Sequence, residues 1–330
     1  MENSKKTTDP LLTIITPCHN SAAFIHRLMD SVLQQTYPNV EMIMIDNAST
    51  DDTANIIKSY IPKFEKKGYL LTYHLEEDLG PSIGLRNGMK MMHGDYVTFP
   101  DSDDYYSRQE SLELMVNKLN SLSDEYVVVR SMVQQIDEKT MQPCGIWGEN
   151  ISDGEEKNLF EDCLFAQNGY YYINIGYMIR VSALKEITGL DFYAAYNVGP
   201  GRQVYLPLYY YKKCFSIKQI LSHYLVRENS ISHGDYSKYK VRAGLYKQCS
   251  LYFDSILVPI SDLSIEKKQF YKKLFMYQET KAMANVAMSY SIGSYIKYRT
   301  IILKYSSQPM KEMARTIKQL LRVLVKKCRS

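Results

Sequence analysis

Along the first hundred residues, short apolar runs alternate with longer stretches in which apolar positions recur every three or four residues. "LLTIIT" (11–16), ending at Pro17, and "VEMIMI" (40–45), ending at Asp46, have the length of buried strands. Between them "SAAFIHRLMDSVLQQ" (21–35) places Phe24, Leu28, Val32 and Gln35 at helical spacing, with Asn20 or Ser21 as cap. "STDDTANIIKSYI" (49–61) opens like a second helix, its aspartates suited to the positive N-terminal end. "YLLTYHL" (69–75) then predicts a third strand, "GPSIGLRNGMKMM" (80–92) a helix and "DYVTF" (95–99) a fourth strand. This alternation predicts an α/β fold, a doubly wound, mostly parallel sheet with helices on both faces. Ligands of such sheets bind beyond the carboxyl ends of the strands, where Asp46 and the run "DSDD" (101–104) fall.

The pattern changes in the second half. "LFEDCLFAQNGYYYINIGYMIRVSALKEI" (159–187) mixes strand-like and helical signals, and tyrosine, 29 in the chain, is dense there. A tyrosine ring suits either a packed interior or a sugar surface, and packing is the commoner use. Beyond about residue 236 the spacing is helical. "KEMARTIKQLLRVLVKKC" (311–328) predicts an amphipathic helix, with Met313, Ile317, Leu320, Leu321, Leu324 and Cys328 on one face. Lys311, Arg315, Lys318, Arg322, Lys326 and Arg329 form a basic stripe. Such a helix either lies on an anionic leaflet or docks on its own domain with the basic face solvated.

Composition narrows these readings. With 330 residues, 45% of them hydrophobic, the chain is long enough for one large domain and an appendage. Its six cysteines include no C-x-x-C pair, which argues against a zinc site or a disulfide framework and fits a reducing cytoplasm. The polar start "MENSKKTTDP" is unlike a signal peptide, and no apolar run of about 18 residues predicts a membrane span. A net charge of +4 is too small to imply nucleic acid, but it is unevenly spread. Residues 265–330 hold fifteen Lys or Arg against three Glu, so the remainder is net acidic by about eight charges.

The chemistry is concentrated in "TFPDSDDYY" (98–106), where three aspartates stand within four positions behind an apolar run. Carboxylates this close repel unless a cation sits among them, so the run is either a solvated turn or a cation site.

Taken in order and spacing, "TIITPCHN", "EMIMIDNASTDDT", "GLRNGM" and "GDYVTFPDSDDYY" resemble the nucleotide-sugar half of the family 2 glycosyltransferases with a GT-A fold. The likeness covers about residues 11–125, thins over 160–235 and is absent from the C-terminal helices. It implies a flexible N-terminus (1–10), then a GT-A domain over 11–235 with a nucleotide-sugar half (11–125) and an acceptor half (126–235). A basic helical region (236–330) would follow. It also implies a UDP-sugar donor and a divalent cation, Mn²⁺ or Mg²⁺, which softness alone does not distinguish. Carried over residue by residue, Asp103 is the metal ligand with Asp101 as its partner, and Asp104 a helix cap or an orienting residue. Pro17, His19, Asp46 and Asn47 bind the nucleotide sugar, with His19 and Asn47 at the positions that flank the base and Asn47 where the family has an acid. Arg86 faces the nucleotide phosphates, unless it serves as a structural bridge to Asp101 or Asp103. Arg227, in "YLVRENSIS" (224–232), stands where a histidine is common and would clamp phosphate.

One departure matters. Aligned through "VYLPLYYYKK" (204–213), the family's Glu-Asp pair, whose aspartate takes the acceptor's proton, is replaced by Pro200 and Gly201. Asp191 in "GLDFY" is the candidate substitute base. The expectation is a cytoplasmic enzyme, peripheral on the inner face of the cell membrane through its basic helix. It would transfer a sugar with inversion from a UDP-sugar to a saccharide acceptor, lipid-linked and destined for a surface polysaccharide. The alternative is a catalytically impaired member that binds donor or partner and supports another transferase; a second copy of the chain is a further candidate partner. A dinucleotide oxidoreductase is excluded because "TPCHNS" lacks the G-x-G-x-x-G that lets backbone approach pyrophosphate.

Overall fold

The computed structural model describes residues 9–78, 80–157, 159–194, 199–227 and 238–327. The chain divides into two compact units, 1–226 and 227–330. The expected domain boundary at 235/236 lies outside the described residues.

The first unit begins with the alternation the apolar runs predict: β1 (Leu12–Cys18), α1 (Ile25–Leu33), β2 (Val40–Asn47), α2 (Thr53–Lys67), β3 (Leu70–Glu76), α3 (Pro81–Met91) and β4 (Tyr96–Thr98). Strand β1 continues through Pro17, which pairs with Ile45, so the proline does not end it. All eight residues of β2 are buried, as expected of a strand covered on both faces. Helix α2 runs six residues beyond the predicted Ile61, through Pro62, and stops at Gly68, whose φ of 84° forms a left-handed C-cap. Neither Asn20 nor Ser21 caps α1 by its side chain.

The unit continues with β5 (Tyr105–Tyr106), α4 (Ser111–Ser121), β6 (Tyr126–Asp137), β7 (Pro143–Trp147), β8 (Gly154–Glu155), α5 (Leu159–Phe165), β9 (Tyr177–Arg180), α6 (Val181–Thr188), α7 (Gly201–Tyr211) and β10 (Lys213–Val226). The ten strands form one sheet ordered β3-β2-β1-β4-β9-β6-β10-β5, with β7 paired to β6 and β8 to β10. The pairs β1–β2, β2–β3, β1–β4 and β6–β10 are parallel, whereas β9 runs antiparallel between β4 and β6. Right-handed crossovers put α1 and α2 on one face and, because the chain reverses to place β4 beyond β1, α3 on the other. Helix α3 lies directly on β1 and β2: a Cβ added at Gly88 would come within 2.4 Å of Ile15 Cγ2.

The tyrosine-rich middle is interior. Tyr171, Tyr177 and Tyr205 are at most 2% exposed, with ring centroids 5.3 Å apart for Tyr171–Tyr177 and 4.6 Å for Tyr177–Tyr205. The buried Arg130 guanidinium lies over Tyr171 and pairs with Glu156 at 2.8 Å.

The second unit is helical: α8 (Tyr239–Ile256), α9 (Ile265–Tyr290), α10 (Ile292–Tyr305) and α11 (Pro309–Lys327). Helices α9 and α10 pack around Met283, Ala284, Ala287, Tyr295, Tyr298 and Ile302, with Leu320 of α11 against this cluster. The single apolar face expected of α11 is split. Leu320 packs inward, whereas Met313, Ile317 and Leu321 are exposed, because the helix docks through buried Glu312 instead. The side chains of Arg322, Leu324, Lys326, Cys328 and Arg329 lie outside the described residues. Among the described residues no helix is long and apolar enough to cross a membrane.

Candidate active site

Three strand ends meet at the carboxyl edge of the sheet, where the order 3-2-1-4 reverses between β1 and β4. After β4, the peptide N–H of Asp104 donates to the Asp101 carbonyl at 3.1 Å, closing "DSDD" into a tight turn. Thr16 of β1 donates to the Pro100 carbonyl at 3.0 Å, and Ser21 and Ser102 share a hydroxyl contact at 2.8 Å. The turn is thereby fixed to β1 and to the loop that follows it. Asp101 is exposed and Asp103 half-buried, while Asp104 is fully buried and accepts the Leu225 N–H of β10 at 3.3 Å. Asp104 thus precedes a strand and caps no helix; it orients β10 instead.

The loops after β1 and β2 are clasped together. His19 Nδ1 donates to the Asn47 carbonyl at 2.5 Å, leaving Nε2 to accept from the Asn20 amide at 2.9 Å. Asn20, at φ 48°, accepts the peptide N–H groups of Thr50 (2.8 Å) and Asp51 (3.3 Å) through Oδ1. Asp51 in turn accepts from the Ala22 and Thr53 N–H groups; burial opposes its ionisation, but these bonds outweigh it and hold its carboxyl below the ordinary range. Asp46 is fully buried, accepting from the Ser49 N–H at 2.9 Å and the Tyr73 hydroxyl at 2.8 Å. Burial first, and then that bond to a carboxylate, push the Tyr73 phenol up to about 12. Asn47 turns its amide against α3, where a Cβ at Gly84 would lie 3.0 Å from Oδ1. That buried oxygen has no hydrogen-bond donor among the described residues.

Arg86 on α3 and Asp191, 105 positions apart in sequence, meet at 3.6 Å, and Arg86 also donates to the Phe192 carbonyl at 3.4 Å. The Asp191 carboxylate is 69% exposed and accepts the Phe192 N–H at 3.0 Å. Pro200 and Gly201 begin α7. A Cβ at Gly201 would come within 2.9 Å of the Tyr172 ring, so a side chain at this position requires that ring to shift. Arg227 directly follows β10 and is half-buried. Pro17 lies in β1 beside Ile45.

Sequence reasoning missed Asn20, Ser21 and Tyr73 as supports, since polar residues in loops carry no signal of which partner they reach. It also missed Tyr205 of α7. Burial, and next to it the Asp101 charge, hold the Tyr205 phenol well above its ordinary value. The i, i+4 spacing of Tyr205 and Tyr209 was the available signal.

Asp101 and Asp103 supply oxygen ligands only, a hard donor set that fits Mg²⁺ or Mn²⁺. A cation of this kind is commonly held by one or two carboxylates, with waters and substrate phosphates completing the shell. Among the described residues no group of three or more His, Cys, Asp or Glu side chains converges.

The fold and the clasped strand ends define a GT-A-type domain. The model of the glycosyl transferase family 2 matches residues 13–188, more than half of the chain, and the chain belongs to that family. It is 34% identical over 112 residues to the putative teichuronic acid biosynthesis glycosyltransferase TuaG of Bacillus subtilis, covering 33% of this chain and 43% of that one. An uncharacterised glycosyltransferase of Rickettsia typhi is 34% identical over 136 residues, 41% of this chain and 40% of the relative. The matches thus span less than half the length of these curated relatives. The crystal structure of S. aureus TarS 1-349 in complex with UDP-GlcNAc superposes with a TM-score of 0.67 at 17% identity, covering 89% of this chain and 81% of that one. The likeness extends the shared fold beyond the segment matched in sequence.

Proposed function

We propose that this protein transfers a sugar from a UDP-sugar to a saccharide acceptor, with a divalent cation held by Asp103 and Asp101. The observation that carries the reading is the aspartate turn, tied by Thr16 and Ser21 to the end of β1 at the switch point of a family 2 domain. The nucleotide of the TarS complex supports the choice of donor. When bound, the cation supplies Lewis-acid stabilisation of the departing diphosphate. The chain's own residues do the positioning. His19, exposed and oriented by Asn47 and Asn20, faces the base, with Asp46 and Pro17 fixing the strand ends behind it. Arg86 and Arg227 bring fixed positive charge to the phosphates. Direct in-line attack by the acceptor hydroxyl inverts the anomeric centre, and Asp191, held beside Arg86 on the rim, takes the proton.

Helix α11 presents Met310, Met313, Ile317 and Leu321, 46–76% exposed, together with Lys311, Arg315 and Lys318. This favours a protein that rests on the anionic inner leaflet and meets a lipid-linked acceptor of surface-polysaccharide synthesis there.

The test is calorimetric titration with UDP, with and without Mn²⁺. Wild type should bind with cation-dependent affinity, and Asp103→Asn should lose that dependence while its circular dichroism is unchanged. Cation-dependent binding that persists in the variant would overturn the site. A second reading, a donor-binding subunit that supports a partner transferase, is favoured by the glycine at 201 and the close approach of the Tyr172 ring to it. It is the correct one if wild type binds UDP-sugar with the cation yet transfers nothing to any saccharide until a partner is added.

A further inference from the structure

The second unit holds a cavity of about 460 Å³ between α9, α10 and α11, lined by Lys281, Asn285, Arg299, Glu312, Arg315, Lys318 and Gln319. Four cations surround one carboxylate. Glu312 is 2% exposed, and its oxygens are already taken by Arg299 (2.8 Å), Arg315 (2.7 Å) and the Tyr277 hydroxyl (2.8 Å). Arg299, 8% exposed, also donates to Thr316 at 2.7 Å and to the Glu312 carbonyl at 3.0 Å. Lys281 and Lys318 have no carboxylate within ion-pair distance among the described residues. Gln319 accepts the Tyr295 hydroxyl through Oε1 at 2.9 Å, which leaves its NH₂ end to donate. Beyond the saturated Glu312, the lining therefore offers hydrogen-bond donors and a surplus of three positive charges.

A ligand matched to such a lining brings acceptor oxygens and at least two negative charges or a delocalised one. The volume lies in the range of small-molecule sites and exceeds what a lone oxyanion needs. We infer that the α9–α10–α11 cavity binds the phosphate group of a small phosphomonoester, with Lys281 and Lys318 as its principal contacts and Arg315 and Gln319 completing the shell. The inference does not depend on the donor site, since every residue it uses lies in the second unit.

The experiment uses the full chain and two probes: glycerol 3-phosphate in solution, and vesicles containing phosphatidic acid, which carries the same group on a lipid. The variant Lys281→Gln/Lys318→Gln changes two exposed side chains. At about fivefold per cation near a charged surface, it should weaken binding roughly 30-fold at low salt. The control Lys267→Gln/Lys268→Gln removes the same charge from the first turn of α9, outside the cavity lining; it should keep wild-type affinity for glycerol 3-phosphate and lose less on vesicles than the cavity variant, since its charges share only in the general attraction of the basic unit. Saturable binding of glycerol 3-phosphate that the cavity variant loses supports a soluble phosphate ligand; selective loss on vesicles alone supports a lipid headgroup. No binding of either probe by wild type, or an equal loss in the control, overturns the inference.

Discussion

Asn20 stands with φ at 48°, a left-handed conformation that asparagine tolerates better than most residues, and its side chain bonds the loop after β2. Its Oδ1 accepts two consecutive peptide N–H groups and so joins the His19–Asn47 and Ala22–Asp51 bonds in clasping the loops after β1 and β2. Asn20→Ala should therefore speed hydrogen exchange at the Thr50 and Asp51 amides by about tenfold or more, from the loss of roughly 1–2 kcal/mol of local hydrogen bonding. Asn20→Asp keeps the acceptor and should retain protection. Equal exchange in wild type and Asn20→Ala would show that the clasp is held by other contacts. At Gly201 the Tyr172 ring stands within 2.9 Å of where a Cβ would lie, so any side chain there must displace it.

Helix α11 shows how one buried carboxylate can set the orientation of an element. Burial opposes the ionisation of Glu312, but hydrogen bonds from Tyr277 and Arg315 and the charge of Arg299 outweigh it, holding the carboxyl below its ordinary 4.5. The folded chain thus binds this proton less tightly than the unfolded one. The contribution to stability is complete above about pH 4.5 and is lost as the pH falls through the lower folded value. Glu312→Gln should flatten the decline in stability between about pH 5 and pH 3 in urea titrations followed by circular dichroism. Glu312→Ala strands Arg299 without its partner, and breaking a buried pair costs about 3–5 kcal/mol. A loss below about 1 kcal/mol in that variant would mean that Arg299 finds another acceptor. The same docking explains why the apolar positions of α11 divide. With Glu312 and Leu320 turned inward, Met313 and Ile317 turn outward.

Across the whole molecule, charge is segregated: residues 265–330 carry a surplus of twelve basic groups and the rest about eight acidic ones. Sedimentation with phosphatidylglycerol vesicles should therefore capture the protein at low salt and release it as salt rises. Met313→Ser/Ile317→Ser/Leu321→Ser should weaken capture further at each salt concentration, and an unchanged profile would remove α11 from the contact. The parallel half of the sheet was legible from the chain alone, because a strand covered on both faces must be apolar throughout and a helix between strands must repeat every three or four residues. The aspartate turn was legible for a related reason, as local charge crowding survives any packing. The strands of 126–226 were harder to read, since in β10 buried and solvated positions alternate irregularly around register shifts, and no period marks it. Sequence by itself determined the family, the alternation and the acidic turn, all of which are written in local residue patterns along the chain. Only the tertiary structure decided that Arg86 faces Asp191, that Tyr172 crowds position 201, and that Lys281 and Lys318 share one cavity. Each of these depends on where distant segments come to rest, and packing fixes that through contacts whose two partners carry no mark of each other along the chain.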